Sequence, residues 1–276
     1  MVRLWGRDIG AVLWDKSRDV AAFEYTREFQ TSRIELAPLM MPLGPAIYSF
    51  PDLAPQTFYG LPGLLADALP DKFGNLLINE WLDRSGRGRD NFSPVQRLCY
   101  VGKRGMGAME FEPSLRNETE SSVNVDVAAL VKLAAAALAQ KEQLATHLTG
   151  QVAGTVDAIR DILRVGTSAG GARAKAVVAW NEATGEVRSG QITAPAGYTY
   201  WLLKFDGVTG NRDKELNDPQ GYGLIEYAYY LMALAAGVEM TECRVLHEHG
   251  RSHFMTKRFD RTDQGEKVFM QSLCAL

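Results

Sequence analysis

Residues 165–180, VGTSAGGARAKAVVAW, set glycines, two small hydroxyls and two basic side chains ahead of an apolar run. Successive backbone N–H groups in such a stretch can converge on an anion, and small side chains let a phosphate approach closely. The spacing is not that of a Walker A loop, because no Gly-Lys-Ser/Thr follows, and Gly-x-Gly-x-x-Gly is absent. By spacing alone a structural turn is the simpler reading, with Ser168 as a turn hydroxyl. A phosphate cradle is the alternative.

A second residue bears on that choice. In YTYWLLKF (198–205), Lys204 alternates with Tyr198, Tyr200 and Leu202, while Trp201, Leu203 and Phe205 take the opposite face. Both faces are apolar, so a lysine ending this strand needs water or a partner. It is either a solvated strand-end lysine or a cation that reaches nucleotide phosphates, as the strand lysine does in protein kinases. Glu226, early on the following helical stretch, is within sequence reach of it but is read as facing solvent. His247, His249 and His253 cluster in sequence without the partners a zinc site needs, so no metal site is assigned.

These residues need a scaffold to position them. The opening VRLWGRDIGAVLWDKSRDVAAFEYTREF reads as an antiparallel meander broken at Gly6-Arg7-Asp8 and at Asp15 to Arg18. PGLLADALPDKFGNLLINEWL places Leu64, Leu65, Ala68 and Leu69, then Leu76, Leu77 and Trp81, near helical spacing, with two pieces meeting at Leu69-Pro70-Asp71. Ser93-Pro94 is an N-cap followed by proline at the first helical position, and a short helix and a strand should follow. The polar, acidic SLRNETESSVNVD is the linker, with the boundary at 113–123 and domains of 1–115 and 116–276. VAALVKLAAAALAQKEQLATHL is a helix rich in Ala and Leu. Beyond residue 173 come the strands RAKAVVAW, VRSGQIT and YTYWLLKF. A helix then puts Leu224, Tyr227, Ala228, Leu231, Leu234 and Ala235 on one stripe ending at Gly237, followed by CRVLHEH and SHFMTKRF joined through Gly250. The fold class is α+β.

Composition narrows the function classes. With 46% hydrophobic and 23% charged residues over 276 positions, the chain can bury a core and lacks the bias of disorder. A net charge of −3 gives no global attraction to nucleic acid. Cys99, Cys243 and Cys274 suggest neither a disulfide framework nor a zinc site, and a reducing cytoplasm fits them. No run reaches the ~18–20 apolar residues of a membrane span.

The order of glycine-rich loop, hairpin, strand lysine, helix and two strands is that of a kinase N-terminal lobe. GTSAGGARAKAVV, KFD, AAGV and FMTKRFDR resemble the loop, nucleotide lysine, helix end and hinge strand of the HipA family of bacterial toxin kinases. LPGLLADALPDKFGNLLINEWL and VQRLCYVGKRGMGAMEFEP resemble that family's N-terminal subdomain, so the resemblance covers nearly the whole chain. It implies an N-terminal antiparallel β subdomain with helices, followed by a protein-kinase-like N-lobe. It also implies ATP and Mg²⁺ as cofactors. Gly166, Thr167, Ser168, Ala169, Gly170, Gly171 and Lys175 would cover the phosphates, Lys204 would bind them, and backbone around Lys257, Arg258 and Phe259 would hold the adenine. Ser168 matches the loop serine whose autophosphorylation silences studied members.

By the same resemblance the chain is part of a serine/threonine kinase, the toxin of a type II toxin-antitoxin pair, which phosphorylates a protein serine and inhibits translation. In studied members that serine lies on an aminoacyl-tRNA synthetase. The implied partner is a helix-turn-helix antitoxin that carries the DNA binding, with no membrane. VFMQSLCAL resembles the first helix of the C-terminal lobe, which would expose Phe269, Met270, Leu273 and Leu276. No Asp-x-x-x-x-Asn catalytic loop follows it. Asp206, Asp213, Asp218, Asp260 and Asp263 come too early in the order, so no catalytic residue is assigned, and the magnesium ligands are expected outside this chain. Plainer readings stand beside these: Phe259 as core, Asp260 and Arg261 as a surface ion pair, and the lobe as a non-catalytic module that binds a nucleotide or a protein.

Overall fold

The opening meander forms as β1 (Val2–Leu4), β2 (Arg7–Asp15) and β3 (Val20–Tyr25), each antiparallel to the next, in a computed structural model. The structure describes residues 1–71, 74–75, 78–79, 82, 92–115, 126–132, 134–135, 173–191, 193–208 and 220–276. The expected linker lies largely outside these residues, as do Leu76, Leu77, Trp81 and the whole segment 166–171. The expected alanine-rich helix is seen at 127–132 and 134–135.

Two compact units make up the chain, and neither is one continuous stretch. One comprises Met1–Leu69, Gly88–Thr119 and Lys267–Leu276, the other Pro70–Arg87 and Glu120–Glu266. In the first, β4 (Ile47–Tyr48) and β5 (Met109–Phe111) complete a sheet of order β4-β3-β2-β1-β5. Short helices α1 (Arg27–Gln30), α2 (Pro55–Phe58) and α3 (Gly63–Ala66) and the longer α4 (Pro94–Val101) accompany it. The sequence signal for α4 is realised as a full capping box. The Ser93 hydroxyl accepts the Gln96 N–H, and the Gln96 side chain accepts the Ser93 N–H at 2.7 Å. Val2, Ile9, Phe23, Leu61, Leu64, Leu98 and Phe111 are buried together as this unit's core.

The last ten residues also belong to this unit, and the helix expected for VFMQSLCAL is not there. Its main chain is committed elsewhere. The Ser272 N–H and hydroxyl donate to the Asp67 carboxylate, the Trp5 indole donates to the Lys267 carbonyl, and Ala275 packs so tightly on α3 that a Cβ at Gly63 would lie 2.6 Å from its oxygen. Phe269 and Met270 are half-buried rather than exposed, while Leu273 does face solvent.

The second unit is built on an antiparallel sheet of order β7-β6-β8-β10-β9. Its strands are β6 (Lys175–Trp180), β7 (Val187–Ser189), β8 (Thr199–Lys204), β9 (Cys243–Glu248) and β10 (Arg251–Lys257). The β9–β10 turn uses His249 and Gly250 at φ 48° and 73°, the left-handed pair that matches the twist of a tight hairpin. Helix α5 (Tyr222–Ala235) lies against β10 and β9. Its expected apolar stripe is not buried among the described residues. Leu224, Leu231 and Leu234 are exposed, and Gly223 is the buried member of the helix.

Gly223 explains how the helix is seated. A Cβ there would lie 1.8 Å from the Ser252 carbonyl oxygen, a distance that no side chain tolerates. Gly223→Ala is therefore expected to push α5 off β10 and to lower stability by about 1–3 kcal/mol, the usual cost of overpacking, read as a drop in the thermal midpoint.

Candidate functional site

Lys204 closes β8, and its antiparallel neighbour places Lys175 directly opposite, the first residue of β6. Directly opposed residues in a ladder share a face, so two ammonium groups stand side by side. Each has its own carboxylate. Lys204 Nζ donates to Glu226 Oε2 at 2.5 Å, and Lys175 Nζ donates to Asp71 Oδ2. Glu226 thus faces inward rather than toward solvent, because the close approach at Gly223 brings the first turns of α5 onto the sheet. Its other oxygen takes Arg173 Nη1 at 3.2 Å, and that guanidinium stacks over the Tyr222 ring at 4.1 Å.

The two pairs differ in burial. Lys204 and Glu226 keep 30% and 20% of their side-chain surface, whereas Lys175 and Asp71 keep 1% and 2%. Burial pushes the Asp71 carboxyl up to about 6 and the Lys175 ammonium down, each partly offset by the other's charge. Among the described residues, Arg173, Lys175 and Lys204 meet the carboxylates of Asp71 and Glu226 at this end of the sheet.

Asp206, the residue after Phe205, ties the site together. Its carboxylate accepts the N–H of Gly221, the residue that precedes α5, at 2.8 Å, and the N–H of Ser252 on β10 at 3.2 Å. Its own N–H donates to His253 Nδ1 at 3.0 Å, and Arg251 donates to its carbonyl at 2.6 Å. One residue thereby fixes the end of β8, the start of α5 and β10. Burial lowers His253 to about 4, so Nδ1 stays an acceptor. His247 meets the Ser252 hydroxyl, and His249 lies beside Glu248.

The His253 shift has a sign that can be checked. Its folded value lies below the unfolded one, so between about 6.5 and 4 the unfolded chain binds more protons and stability falls as pH drops. The raised Asp71 value acts in the opposite direction over part of that window. Comparing wild type with His253→Asn cancels the Asp71 contribution, since asparagine keeps an acceptor for the Asp206 N–H without titrating. Urea melts should show the wild type losing stability relative to the variant below pH 6.5.

The hinge-like residues have their own network. Arg258 forms two bonds to Asp260, at 2.8 and 2.6 Å, and a third to the Gly190 carbonyl at 2.9 Å, while Arg261 donates to Asp260 at 2.8 Å. All three side chains are buried, so Asp260 and Arg261 are not a surface pair. Burial and the neighbouring Arg258 lower Arg261 to about 10. Phe259 is not core but 63% exposed. The Lys257 and Arg258 N–H groups donate to Glu242 and Tyr200 carbonyls, and the Lys257 side chain reaches Asp263 at 3.0 Å. An adenine bound along this strand is left with carbonyl oxygens or with Phe259.

Sequence reasoning missed Asp71, Arg173 and the Asp206–His253 clamp. Lys175 sat in a run as apolar as that around Lys204 and should have raised the same question of a partner. Nothing in the sequence links it to a carboxylate 104 positions away.

Family comparisons agree with this architecture. A family model described as the HipA N-terminal domain matches residues 1–112, and one described as the HipA-like C-terminal domain matches residues 167–276. No curated protein matches the sequence. Among solved structures the chain is similar to HipA of Shewanella oneidensis MR-1, from a complex of HipA, HipB and operator DNA. The identity is 16%, over 98% of this chain and 53% of that one, with a TM-score of 0.51. That likeness shows the fold, and the chain spans about half the length of the HipA it matches. With its two family domains in sequence and an α+β structure that follows HipA through nearly all its residues, the chain belongs to the HipA family.

Proposed function

We propose that this chain is the nucleotide-binding part of a HipA-like serine/threonine kinase, the toxin of a toxin-antitoxin pair. The observation that supports this most is Lys204 held at 2.5 Å from Glu226, a strand lysine paired with a helix glutamate next to a glycine-rich segment. In protein kinases that pair aims the lysine at nucleotide phosphates, and positioning plus charge stabilisation is nearly all that phosphoryl transfer asks of a protein. The residues present fit ATP phosphates, since Lys204 keeps 30% of its side-chain surface and is oriented by Glu226 at the end of its strand. ATP would supply the transferable phosphoryl group. Lys204 would orient its phosphates, Glu226 would orient Lys204, and segment 166–171 would cover them.

Magnesium is a different matter. The described residues contain no group of three side chains suited to hold a metal ion. Asp206 and Asp260 are both engaged in structural hydrogen bonds. The magnesium ligands and the catalytic base are assigned to no residue of this chain.

Under this reading Ser168 is the regulatory phosphorylation position, because a phosphoserine brings nearly two negative charges into a site built for nucleotide phosphates. The partner is a helix-turn-helix antitoxin, in line with the HipB of the structural neighbour, and DNA is contacted through it. The substrate is a protein serine. A second reading, a binding module without catalysis, is favoured by the exposed apolar side chains Leu224, Ile225, Tyr229 and Met232 on α5.

Titrating Mg·ATP while following phosphate incorporation tests the reading. Saturable binding without labelling of this chain is expected. Absence of binding would remove the kinase reading, and phosphate on Ser168 with this chain alone would show that catalytic residues had been overlooked.

A further inference from the structure

Helix α5 is apolar on the side that faces away from its sheet. From Tyr222 to Val238 the chain has one charged residue, Glu226, and its carboxylate is turned inward to Lys204 and Arg173. Gly223 sets the inner side of the helix against β10. Residues that recur at i, i+4, i+7 and i+11 share a helix face. On the outer face these are Leu224, Ala228, Leu231 and Ala235, flanked by Ile225, Tyr229 and Met232. Every one of them is exposed, Met232 by 63% and Tyr229 by 66%.

Water is a poor cover for such a face. A helix that is apolar all round is ordinarily buried, and exposed apolar patches beyond a few hundred Å² mark sites of association. A membrane does not match it. At 14 residues the helix is shorter than the ~20 of a span, and it carries no Lys or Arg to meet lipid headgroups.

The order of the side chains points to a second copy of the chain. Along the ridge they alternate large and small, as Leu, Ala, Leu, Ala. When the helix is paired antiparallel with itself about a two-fold axis between Tyr229 and Tyr230, Leu224 falls opposite the partner's Ala235, and Leu231 opposite the partner's Ala228. Each leucine then meets the gap that an alanine leaves, and symmetry repeats both contacts, as an isologous interface requires. A ridge without charge also lets two copies meet without like-charge repulsion. With the exposed Val238 and Met240 just beyond the helix, the face offers at most roughly 800 Å² per copy, about the share that one partner gives a standard interface. A reversible dimer in the micromolar range is expected from an area of that size.

We infer that the outer face of α5 is a self-association surface, on which a second copy of this chain seats its own α5 antiparallel. The inference goes beyond the nucleotide reading and holds with or without ATP, because Glu226 and its pair with Lys204 lie on the inner side of the helix.

Sedimentation equilibrium of the intact chain from about 1 to 200 μM tests it, a range that brackets micromolar affinity. The expected result is a reversible shift from 30.4 kDa to twice that mass. Leu231→Glu, at a position exposed in the monomer, should keep the thermal midpoint and weaken the dimer by about tenfold or more, because it buries an unpaired charge in the contact. Ala228→Leu separates this pairing from mere stickiness. It enlarges the apolar face yet fills the gap that takes Leu231, so it should weaken the dimer. The exchange Ala228→Leu/Leu231→Ala should restore it, by swapping the two sides of that contact. A chain that stays at 30.4 kDa throughout would overturn the inference and leave this face to a different polypeptide. A dimer indifferent to Leu231→Glu, or one that Ala228→Leu tightens, would overturn it as well.

Discussion

Lys204→Met is expected to weaken Mg·ATP by about 10–100-fold, the equivalent of the ~1.5–3 kcal/mol of a hydrogen bond to a charged group, with little change in stability. The side chain keeps 30% of its surface, so its methylene stem can be replaced by methionine without opening the core, and Glu226 retains Arg173 as a partner. Adenosine affinity should stay near that of wild type, because Lys204 meets β10 at Phe254, opposite it in the ladder, and not at residues 257–259, where the adenine is proposed to lie. Glu226→Gln should give a milder loss, since it leaves the ammonium in place but releases it from the helix. Isothermal titration of the variants checks both, and equal ATP affinity in wild type and Lys204→Met would place the phosphates elsewhere.

The largest stability effect is expected at Asp260. Its carboxylate sits between two buried guanidiniums, with Arg258 bound through both oxygens and Arg261 through one. Removing it in Asp260→Ala strands two cations without solvent, and breaking a buried ion pair in this way costs about 3–5 kcal/mol. Asp263→Ala is the control, since its pair with Lys257 is largely exposed and such pairs contribute ~0–1 kcal/mol. Denaturant unfolding should separate the two variants clearly. The position in the chain gives the result a functional side, because Arg258 also binds the Gly190 carbonyl and its N–H binds Tyr200 on β8. A weakened Asp260 network should loosen the hinge strand and reduce adenosine affinity as well.

The parts of this fold that were readable from sequence were those set by local chemistry. Ser93-Pro94 announced α4 because the cap, the proline and Gln96 all act within one turn. The β9–β10 hairpin was marked by Gly250, and the meander by its polar breaks. What could not be read depended on residues far apart in the chain meeting in space. The stripe on α5 predicted a buried face, yet the helix meets the sheet at Gly223, a residue with no side chain to announce it. Glu226 was placed outward for the same reason.

The site was legible in its cations and not in their partners. Lys204 stood out because a strand with two apolar faces has no place for an unpaired charge, whereas Lys175 entered through the family resemblance alone. Asp71 belongs by sequence to a stretch between apolar helical pieces, and its role depends on a contact across 104 positions. The tail 267–276 was matched by resemblance to a helix, while its main chain is tied to the N-terminal unit by Asp67 and Trp5. Segment 166–171, with Ser168, lies outside the described residues, so its loop role remains the proposal made from the family.

The most direct measurement of the central claim is covalent labelling with an acyl-phosphate analogue of ATP, followed by peptide mass spectrometry. Such a reagent transfers its acyl group to a lysine amine beside the bound phosphates. The expected result is modification at Lys204 that is suppressed by excess Mg·ATP while labelling of surface lysines is unchanged. Labelling confined to exposed lysines such as Lys16, with no protection by Mg·ATP, would contradict the assignment of this face as a nucleotide-phosphate site.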